Sequence, residues 1–146
     1  MTEIIGFTGT RDPFALTGIQ VGWLWDTLKA FKVAGASTFR HGDCTGGDMI
    51  AHHIADALGY SIIIHPPSDP RHRAWCTGTL LHDPIPYLDR NKVIAQHSDL
   101  LLSLPGGPEE TRSGTWSTLR YNAKIGKNGY GCLPDGTLFT KEPTDA

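Results

Sequence analysis

Short apolar segments recur along the chain and predict the strands of a sheet. Three of them are continuous rather than alternating in polarity, at residues 4–7, 61–64 and 99–104. A weaker run at residues 37–41 supplies a fourth. Strands that are covered on both faces of a parallel sheet have this continuous pattern, because neither face is exposed to water. The runs therefore predict a buried parallel sheet.

The segments between the first apolar runs have the spacing of amphipathic helices. Thr17 and Gln20 form the pattern of a capping box, which starts a helix. The apolar residues that follow are three or four positions apart and share one helix face: Val21, Leu24, Leu28 and Phe31. A second helical pattern ends at Gly59, a residue suited to a left-handed helix cap. Its apolar residues are Ile50, Ile54, Ala57 and Leu58.

Two more helices are predicted in the second half of the chain. One covers about residues 87–97, after two prolines, and another covers about residues 114–125, just before Gly126. The later helix is expected to bury Trp116, Leu119 and Ala123. Because strands and helices alternate, the sequence indicates an α/β fold with a mainly parallel sheet and right-handed crossovers.

Residues 65–86 interrupt this alternation with five prolines and no sustained periodicity, so we expect a long ordered loop there. Its Trp75, Leu80 and Leu81 favour packing over disorder. Asn-Gly and Asp-Gly pairs near the C-terminus are typical of hairpin turns and predict a small edge hairpin within residues 130–139. We expect a frayed tail at residues 141–146 and a single domain over residues 1–146.

Composition narrows the class of protein. The chain has 146 residues and a formal net charge of −2, which disfavours a non-specific nucleic-acid binder. Neither a secretory signal nor an apolar run long enough to span a membrane is present, so we expect a cytoplasmic protein without a membrane partner. Cys44, Cys76 and Cys132 form no C-x-x-C pair, which disfavours disulfide scaffolds and zinc ribbons.

Three loops that follow predicted strands are rich in glycine and small polar residues. They cover residues 8–12, 41–48 and 105–115. In a parallel sheet these loops emerge at the carboxyl ends of the strands, where open α/β sheets bind ligands. Glycine lets backbone amides approach an anion, and a following helix adds unsatisfied N–H groups. The loops therefore predict a phosphate-bearing small molecule, although none contains a P-loop or G-x-G-x-x-G motif.

The motifs in these loops resemble those of one protein superfamily. They are G-T-R at 9–11, H-G-D-C at 41–44, G-G-D at 46–48, Y-L-D-R-N at 87–91, P-G-G at 105–107 and R-S-G-T-W-S-T-L-R-Y at 112–121. This set resembles the SLOG superfamily, which includes the LOG and DprA/SMF proteins, and is nearest to small SLOG-type proteins of bacteria and phages. The resemblance covers about residues 4–126. It implies a Rossmann-like three-layer sandwich, in which helices flank the sheet, and a nucleotide or nucleotide-derived ligand.

The resemblance to LOG enzymes also raises a catalytic alternative. LOG enzymes are nucleoside 5′-monophosphate phosphoribohydrolases, N-glycosidases with the signature P-G-G-x-G-T-x-x-E and an arginine on the preceding helix. Arg90 takes the place of that arginine, but Thr118 stands where the signature has glutamate. A threonine hydroxyl cannot supply the carboxylate that glycosidic cleavage needs. Glu109 or Glu110, or Asp43 and Asp48 across the cleft, could substitute for it.

The predicted ligand-binding residues come from the three loops and the helix at residues 87–97. They are Thr8, Gly9, Thr10, Arg11, Gly42, Asp43, Gly46, Gly47, Asp48, Arg90, Asn91, Pro105, Gly106, Gly107, Arg112, Ser113, Gly114 and Thr115. Several have structural alternatives. Arg11 could pair with Asp12 or Glu110, Asp48 could cap its helix, and Arg90 with Asn91 could lie on a solvated helix face.

Other residues keep alternative interpretations. We expect no metal and no resident cofactor, because the spacing of His65, His72, Cys76 and His82 matches no common zinc site. Trp116 is expected in the core, whereas Trp75 could cover a base or a neighbouring subunit. Trp23 and Trp25 could mark the surface of a homo-oligomer, a dimer or larger.

Three functional hypotheses follow. The first is a sensor or sequestering protein that binds a nucleotide or a nucleotide-derived molecule, ADP-ribose-like or cyclic. The second is the LOG-like N-glycosidase, with Arg90 orienting the substrate and Glu109 or Glu110 as carboxylate. The third, DprA-like binding of single-stranded DNA, is disfavoured by the charge and by the absence of interleaved aromatic and basic residues.

Overall fold

The computed structural model describes residues 2–144. Its sheet contains strands β1 (Ile4–Gly9), β2 (Thr38–His41), β3 (Ser61–Ile64), β4 (Leu80–Leu81), β5 (Leu100–Leu104), β6 (Gly129–Cys132) and β7 (Leu138–Lys141). The strand order is β4-β3-β2-β1-β5-β6-β7, and all neighbours are parallel except β6 and β7. The predicted edge hairpin is therefore confirmed as the β6–β7 pair.

Within residues 2–144, four α-helices cover the sheet: α1 (Gly18–Val33), α2 (Gly47–Ala57), α3 (Tyr87–His97) and α4 (Gly114–Lys124). Helices α1 and α2 pack against each other, as do α3 and α4. Right-handed crossovers to the two sides of β1 place these pairs on opposite faces of the sheet. The predicted Rossmann-like three-layer sandwich is thus confirmed. None of the described helices is long and apolar enough to cross a membrane.

The core forms where the apolar runs of the strands meet the helices. β5 is buried at every position, and Phe7 and Phe39 from neighbouring strands lie with ring centroids 6.0 Å apart. On α1, the capping box of Thr17 and Gln20 forms as the sequence predicts. Gly59, with φ +85°, follows α2 in the left-handed conformation that its position suggested.

Two expectations about helix faces are wrong. Ala57 is exposed, and the core face of α2 carries Ala51 and Ala55 instead, because the helix is rotated slightly from the assumed phase. Trp23 packs partly buried against the core, and Trp25 is 39% exposed. Side chains two residues apart on a helix point to different sides. The two tryptophans therefore do not form one exposed pair.

The segments predicted to lack regular structure contain some. Within residues 65–86, Pro70–His72 form a 3-10 turn, and β4 adds a parallel edge strand beside β3. Trp75, Leu80 and Leu81 are more than half exposed, so these three side chains do not hold the segment in place by apolar packing. In the predicted tail, Lys141 belongs to β7, and residues 145–146 lie outside the described part of the chain.

Candidate functional site

A cavity of about 510 Å³ opens at the carboxyl ends of β1, β2 and β5. Its volume lies within the range of ordinary small-molecule sites. The chain passes from β1 to β2 on one side, and β5 lies on the other side of β1. The crossover connections therefore leave β1 in opposite directions across the sheet. Open α/β sheets bind ligands at such a topological switch point.

Most residues predicted to bind the ligand are brought together around this cavity. The lining includes Thr8, Gly9, Thr10, Arg11, Gly42, Asp48, Arg90, Asn91, Gly106, Gly107, Arg112, Ser113, Gly114 and Thr115. The loops are far apart in sequence and meet because parallel strands place their carboxyl ends at one edge. Four predicted residues do not line the cavity: Asp43, Gly46, Gly47 and Pro105.

Gly46 and Gly47 connect the second loop to the end of β1. Gly46 has φ +83°, and a Cβ atom there would lie 2.6 Å from the carbonyl oxygen of Thr10. The backbone N–H of Gly47 donates to that same oxygen at 2.8 Å. These glycines therefore allow close packing of α2 against β1. Pro105 is also structural, because its carbonyl oxygen accepts a 2.8 Å hydrogen bond from the buried Gln20 side chain.

Asp43 is fully buried and holds the segment 65–86 against the second loop. Its carboxylate accepts hydrogen bonds from Arg73 Nε and from the backbone N–H of Cys76, both at 2.8 Å. Its carbonyl oxygen accepts from the backbone N–H of Ala74 at 2.7 Å. The guanidinium of Arg73 lies 4.0 Å from the ring centroid of Trp75. Asp43 thus anchors the loop, and its carboxylate is already engaged there.

Arg90 lies in the floor of the cavity and connects α3 to two loops. It is 4% exposed and donates hydrogen bonds to the carbonyl oxygens of Gly42 and His65. Its Nε also donates to Asn91 Oδ1 at 2.7 Å. Neither residue therefore lies on a solvated helix face. The guanidinium is held in place by protein acceptors, and its positive charge remains beside the cavity.

The wall formed by β5 and α4 presents donors to the cavity. Ser113 caps α4 by accepting from the backbone N–H of Trp116 at 3.2 Å. The indole Nε1 of Trp116 donates to the carbonyl oxygen of Gly107 at 3.1 Å, which fixes the glycine loop against the helix. Unsatisfied N–H groups and the helix dipole make the start of α4 favourable for an anion.

Two exposed arginines flank this wall. Arg11 follows β1, Arg112 precedes α4, and both line the cavity. Within residues 2–144 neither guanidinium forms an ion pair or a hydrogen bond, so the anticipated pairing of Arg11 with Asp12 or Glu110 is not seen. Guanidinium groups bind phosphate oxygens through two parallel hydrogen bonds.

The opposite wall, formed by β2 and α2, carries the buried carboxyl of Asp48. Asp48 does not cap α2, because Gly46 holds the N-cap position. Its Oδ2 instead accepts from the backbone N–H of Cys44 at 3.1 Å. Burial raises the pKa of Asp48 to about 6, although the nearby Arg90 acts in the opposite direction. Burial and Asp48 raise the pKa of the Cys44 thiol, so this cysteine is not activated.

Glu109 and Glu110, the candidate catalytic glutamates, differ in their position relative to the cavity. Glu109 lies outside the cavity lining and pairs with Arg120 at 3.0 Å and Lys141 at 3.1 Å. Glu110 lines the cavity. Thr118 is buried outside the lining, and its hydroxyl donates to the carbonyl oxygen of Gly114 at 2.8 Å. The position at which the resemblance to LOG enzymes leads us to expect glutamate is therefore engaged within α4.

One cluster could resemble a metal site, although spacing alone did not suggest it. His41, His52 and Cys76 offer ligand atoms that lie within 4.8 Å of one another. However, His41 Nδ1 accepts from the backbone N–H of Asp43 at 2.9 Å, so the proton of the neutral ring is on Nε2. That Nε2 lies 3.0 Å from His52 Nδ1 and donates to it. The two histidines therefore form a hydrogen-bonded pair in the described structure.

Comparison with known proteins finds similar folds among solved structures. No protein-family model matches the chain, and no curated protein is similar to it in sequence. Among solved structures, a molybdenum cofactor binding protein from Rippkaea orientalis superposes with a TM-score of 0.69 at 17% identity, over 91% of this chain and 77% of that one. The molybdenum cofactor carrier protein of Chlamydomonas reinhardtii gives 0.63 at 18% identity, over 91% and 76%.

A third structure, the protein TM1055, superposes with a TM-score of 0.65 at 13% identity, over 86% of this chain and 71% of that one. At these identities the likeness shows the fold alone. It supports a LOG-like, Rossmann-like arrangement of strands and helices, which agrees with the strand order and the two helix layers described above.

Proposed function

We propose that the protein is a cytoplasmic member of the SLOG superfamily that binds a phosphorylated, nucleotide-derived small molecule in the cavity at the switch point. The ligand is ADP-ribose-like or cyclic, and the protein senses or sequesters it. One observation carries the proposal: within residues 2–144, Arg11 and Arg112 line the cavity beside the start of α4 without forming an ion pair, although Asp12 and Glu110 line it as well. Donors and positive charge gathered at one wall suit a phosphate.

The structural neighbours support this choice of ligand class. Two of them are described as proteins that bind or carry the molybdenum cofactor. They show that this arrangement of strands and helices can hold a cofactor-sized molecule. We extend that property to this chain as binding of a cofactor-like small molecule, and the local arginines and glycine loop favour one that bears phosphate.

The side chains that a LOG enzyme would use favour binding over turnover. Thr118 is engaged with its own helix, and Glu109 is held in surface ion pairs. Arg90 is fixed by two carbonyl oxygens and Asn91. The cavity therefore has groups to hold a phosphorylated molecule, but lacks a carboxylate at the position where the LOG signature supplies one.

Ligand extraction tests the proposal directly. The protein is purified without added nucleotide and denatured, and the released small molecules are identified by mass spectrometry beside an R11Q/R112Q variant prepared in the same way. We expect a phosphorylated nucleotide derivative from the wild type and much less of it from the variant. A full panel of nucleotides, ADP-ribose and cyclic nucleotides that leaves the wild-type melting temperature unchanged would contradict the proposal.

The second candidate function is the LOG-like N-glycosidase, and one observation favours it. Glu110 and Asp48 both line the cavity, so two carboxyl groups are available to a bound nucleotide. Incubation with nucleoside monophosphates, NAD and ADP-ribose, followed by chromatography, would detect base release. Release by the wild type that is lost in E110A, but kept in E109A, would support this function over binding alone.

We also propose that the protein forms a homo-oligomer. Exposed apolar side chains lie along one helix and the hairpin, including Ile19 at 59% and Leu138 at 62% exposure. Multi-angle light scattering measures the state: a mass near 15.9 kDa at micromolar concentration would contradict oligomerisation.

A further inference from the structure

The two walls of the cavity offer different groups to a ligand. Arg112, the glycine loop after β5 and the start of α4 form the donor wall, which Glu110 also lines, whereas Asp48 lies in the wall formed by β2 and α2. β1 lies between β2 and β5. Neighbouring strands are about 4.8 Å apart, so the two walls are separated by about 10 Å. A single small molecule can therefore contact both walls at once.

The carboxyl group of Asp48 is almost fully shielded from water. It is 5% exposed, yet it belongs to the lining. The groups that face it are Arg90 from α3, and Asp43 and the backbone N–H groups of Gly42 and Cys44 from the loop after β2. A buried carboxylate is costly unless hydrogen bonds and charges compensate for its lost water.

The existing partners do not compensate fully. An aspartate that only stabilised the first turn of α2 would have a lowered pKa, because the helix dipole favours its charged form. Instead, burial raises the pKa of Asp48 to about 6, in spite of Arg90 and the N–H of Cys44. Its Oδ2 accepts from the Cys44 N–H at 3.1 Å, and because Asp48 also lines the cavity, a bound molecule can reach the same carboxyl group.

We propose that Asp48 accepts hydrogen bonds from hydroxyl or ring N–H groups of the bound molecule. The ligand then lies across the switch point, with its phosphate at the Arg112 wall and its donor-bearing end, such as a ribose, at Asp48. This inference rests on the proposed function, because the phosphate must occupy the same cavity. It narrows the ligand to molecules whose hydrogen-bond donors lie about 10 Å from the phosphate, and it excludes simple anions as the physiological ligand.

This orientation links binding to protonation. Ligand donors favour the ionised carboxylate, so binding releases a proton in the range where the free Asp48 is partly protonated. Affinity for a donor-bearing ligand therefore decreases as the pH falls below about 6. Protonation of histidines would add positive charge and raise the affinity for an anion as the pH falls. A decrease in affinity therefore identifies the carboxyl as the group that titrates.

The experiment compares two probes whose charges stay constant between about pH 5 and pH 8: ADP-ribose, which carries ribose hydroxyls, and inorganic sulfate, which carries none. Calorimetry measures both against the wild type, D48N and the control D26N, since Asp26 lies exposed on α1. We expect D48N to weaken ADP-ribose binding about tenfold at pH 7.5 and to abolish its pH dependence. Sulfate affinity should not decrease in D48N, because the loss of a negative charge cannot weaken anion binding, and D26N should match the wild type.

The outcomes separate this inference from the proposed function. If ADP-ribose binds the wild type and D48N with equal affinity and the same dependence on pH, the role of Asp48 is overturned. The proposal that the cavity binds phosphate is then unaffected. Failure of both probes to bind the wild type overturns the proposed function and this inference with it. If D48N does not fold, the wild type decides: ADP-ribose affinity must decrease from pH 7.5 to pH 5 by about tenfold relative to sulfate, and equal profiles overturn the inference.

Discussion

Replacement of Asp43 by alanine should detach the segment 65–86 from the rest of the protein. The carboxylate is fully buried and accepts from Arg73 Nε and the Cys76 N–H, both at 2.8 Å. Asp43 also has φ +58°, a left-handed conformation that aspartate and asparagine adopt more readily than alanine. The substitution therefore removes an ion pair and a hydrogen bond, and adds backbone strain.

The structure sets the size of this effect. Removal of one partner from a buried ion pair costs about 3–5 kcal/mol. The lower value applies here because the side chain of Arg73 is 10% exposed and can turn toward water. Left-handed alanine adds about 1 kcal/mol. We expect D43A to lower the free energy of unfolding by about 4 kcal/mol. D43N keeps an oxygen for the Cys76 N–H and should lose only about 1–2 kcal/mol.

Urea unfolding followed by circular dichroism gives these free energies, and hydrogen exchange locates the change. In D43A, the amide hydrogens of residues 65–86 should exchange faster than in the wild type. The relative protection of the β5 amides should stay the same. A double-mutant cycle with R73Q should show a coupling of about 1–3 kcal/mol. A loss below about 1 kcal/mol in D43A, with unchanged exchange in this segment, would refute the proposed anchor.

Three other perturbations test separate parts of the structure. Gln20→Ala removes two buried hydrogen bonds to carbonyl oxygens, at 2.8 and 2.9 Å, and should cost about 2–3 kcal/mol in urea unfolding; a neutral result would contradict their role. Burial lowers the pKa of His41 and His65 to about 3, so each should reduce stability by about 1.4 kcal/mol per unit as the pH falls below 6.5. Asp48, whose pKa is raised to about 6, binds a proton in the folded state below that pH and so offsets the loss of stability from one of these histidines. In urea titrations at several pH values, H65Q should lessen the dependence of stability on pH. Trp116→Phe loses the indole bond to the glycine loop and should weaken ADP-ribose binding several-fold in calorimetry, with stability reduced by about 1 kcal/mol; unchanged affinity would show that the loop needs no such support.

Local patterns in the sequence were sufficient to predict most of the fold. Continuous apolar runs and three-to-four spacing depend only on neighbours along the chain, and they located β1, β2, β3 and β5 and all four helices. The predicted limits of α3, at Tyr87 and His97, match the structure. The convergence of the three glycine loops followed from parallel strand topology alone.

Features that depend on contacts distant in sequence were missed. The ion pair of Asp43 with Arg73 joins residues thirty positions apart, so no local pattern reveals that Asp43 holds a loop. The same holds for Arg90, whose acceptors lie in two other loops. Tyr87 and Trp116 line the cavity although the sequence suggested no such role, because helix rotation decides which side chains reach it.

The central claim is that Arg11 and Arg112 bind a phosphorylated molecule at the switch point. Calorimetric titration with ADP-ribose compares the wild type, R11Q/R112Q and the control R71Q, which removes an exposed arginine paired with Asp69. Each charge-assisted hydrogen bond contributes about 1.5–3 kcal/mol, so the double variant should bind at least about tenfold more weakly, and R71Q should bind like the wild type. Equal affinity in all three proteins would contradict the account.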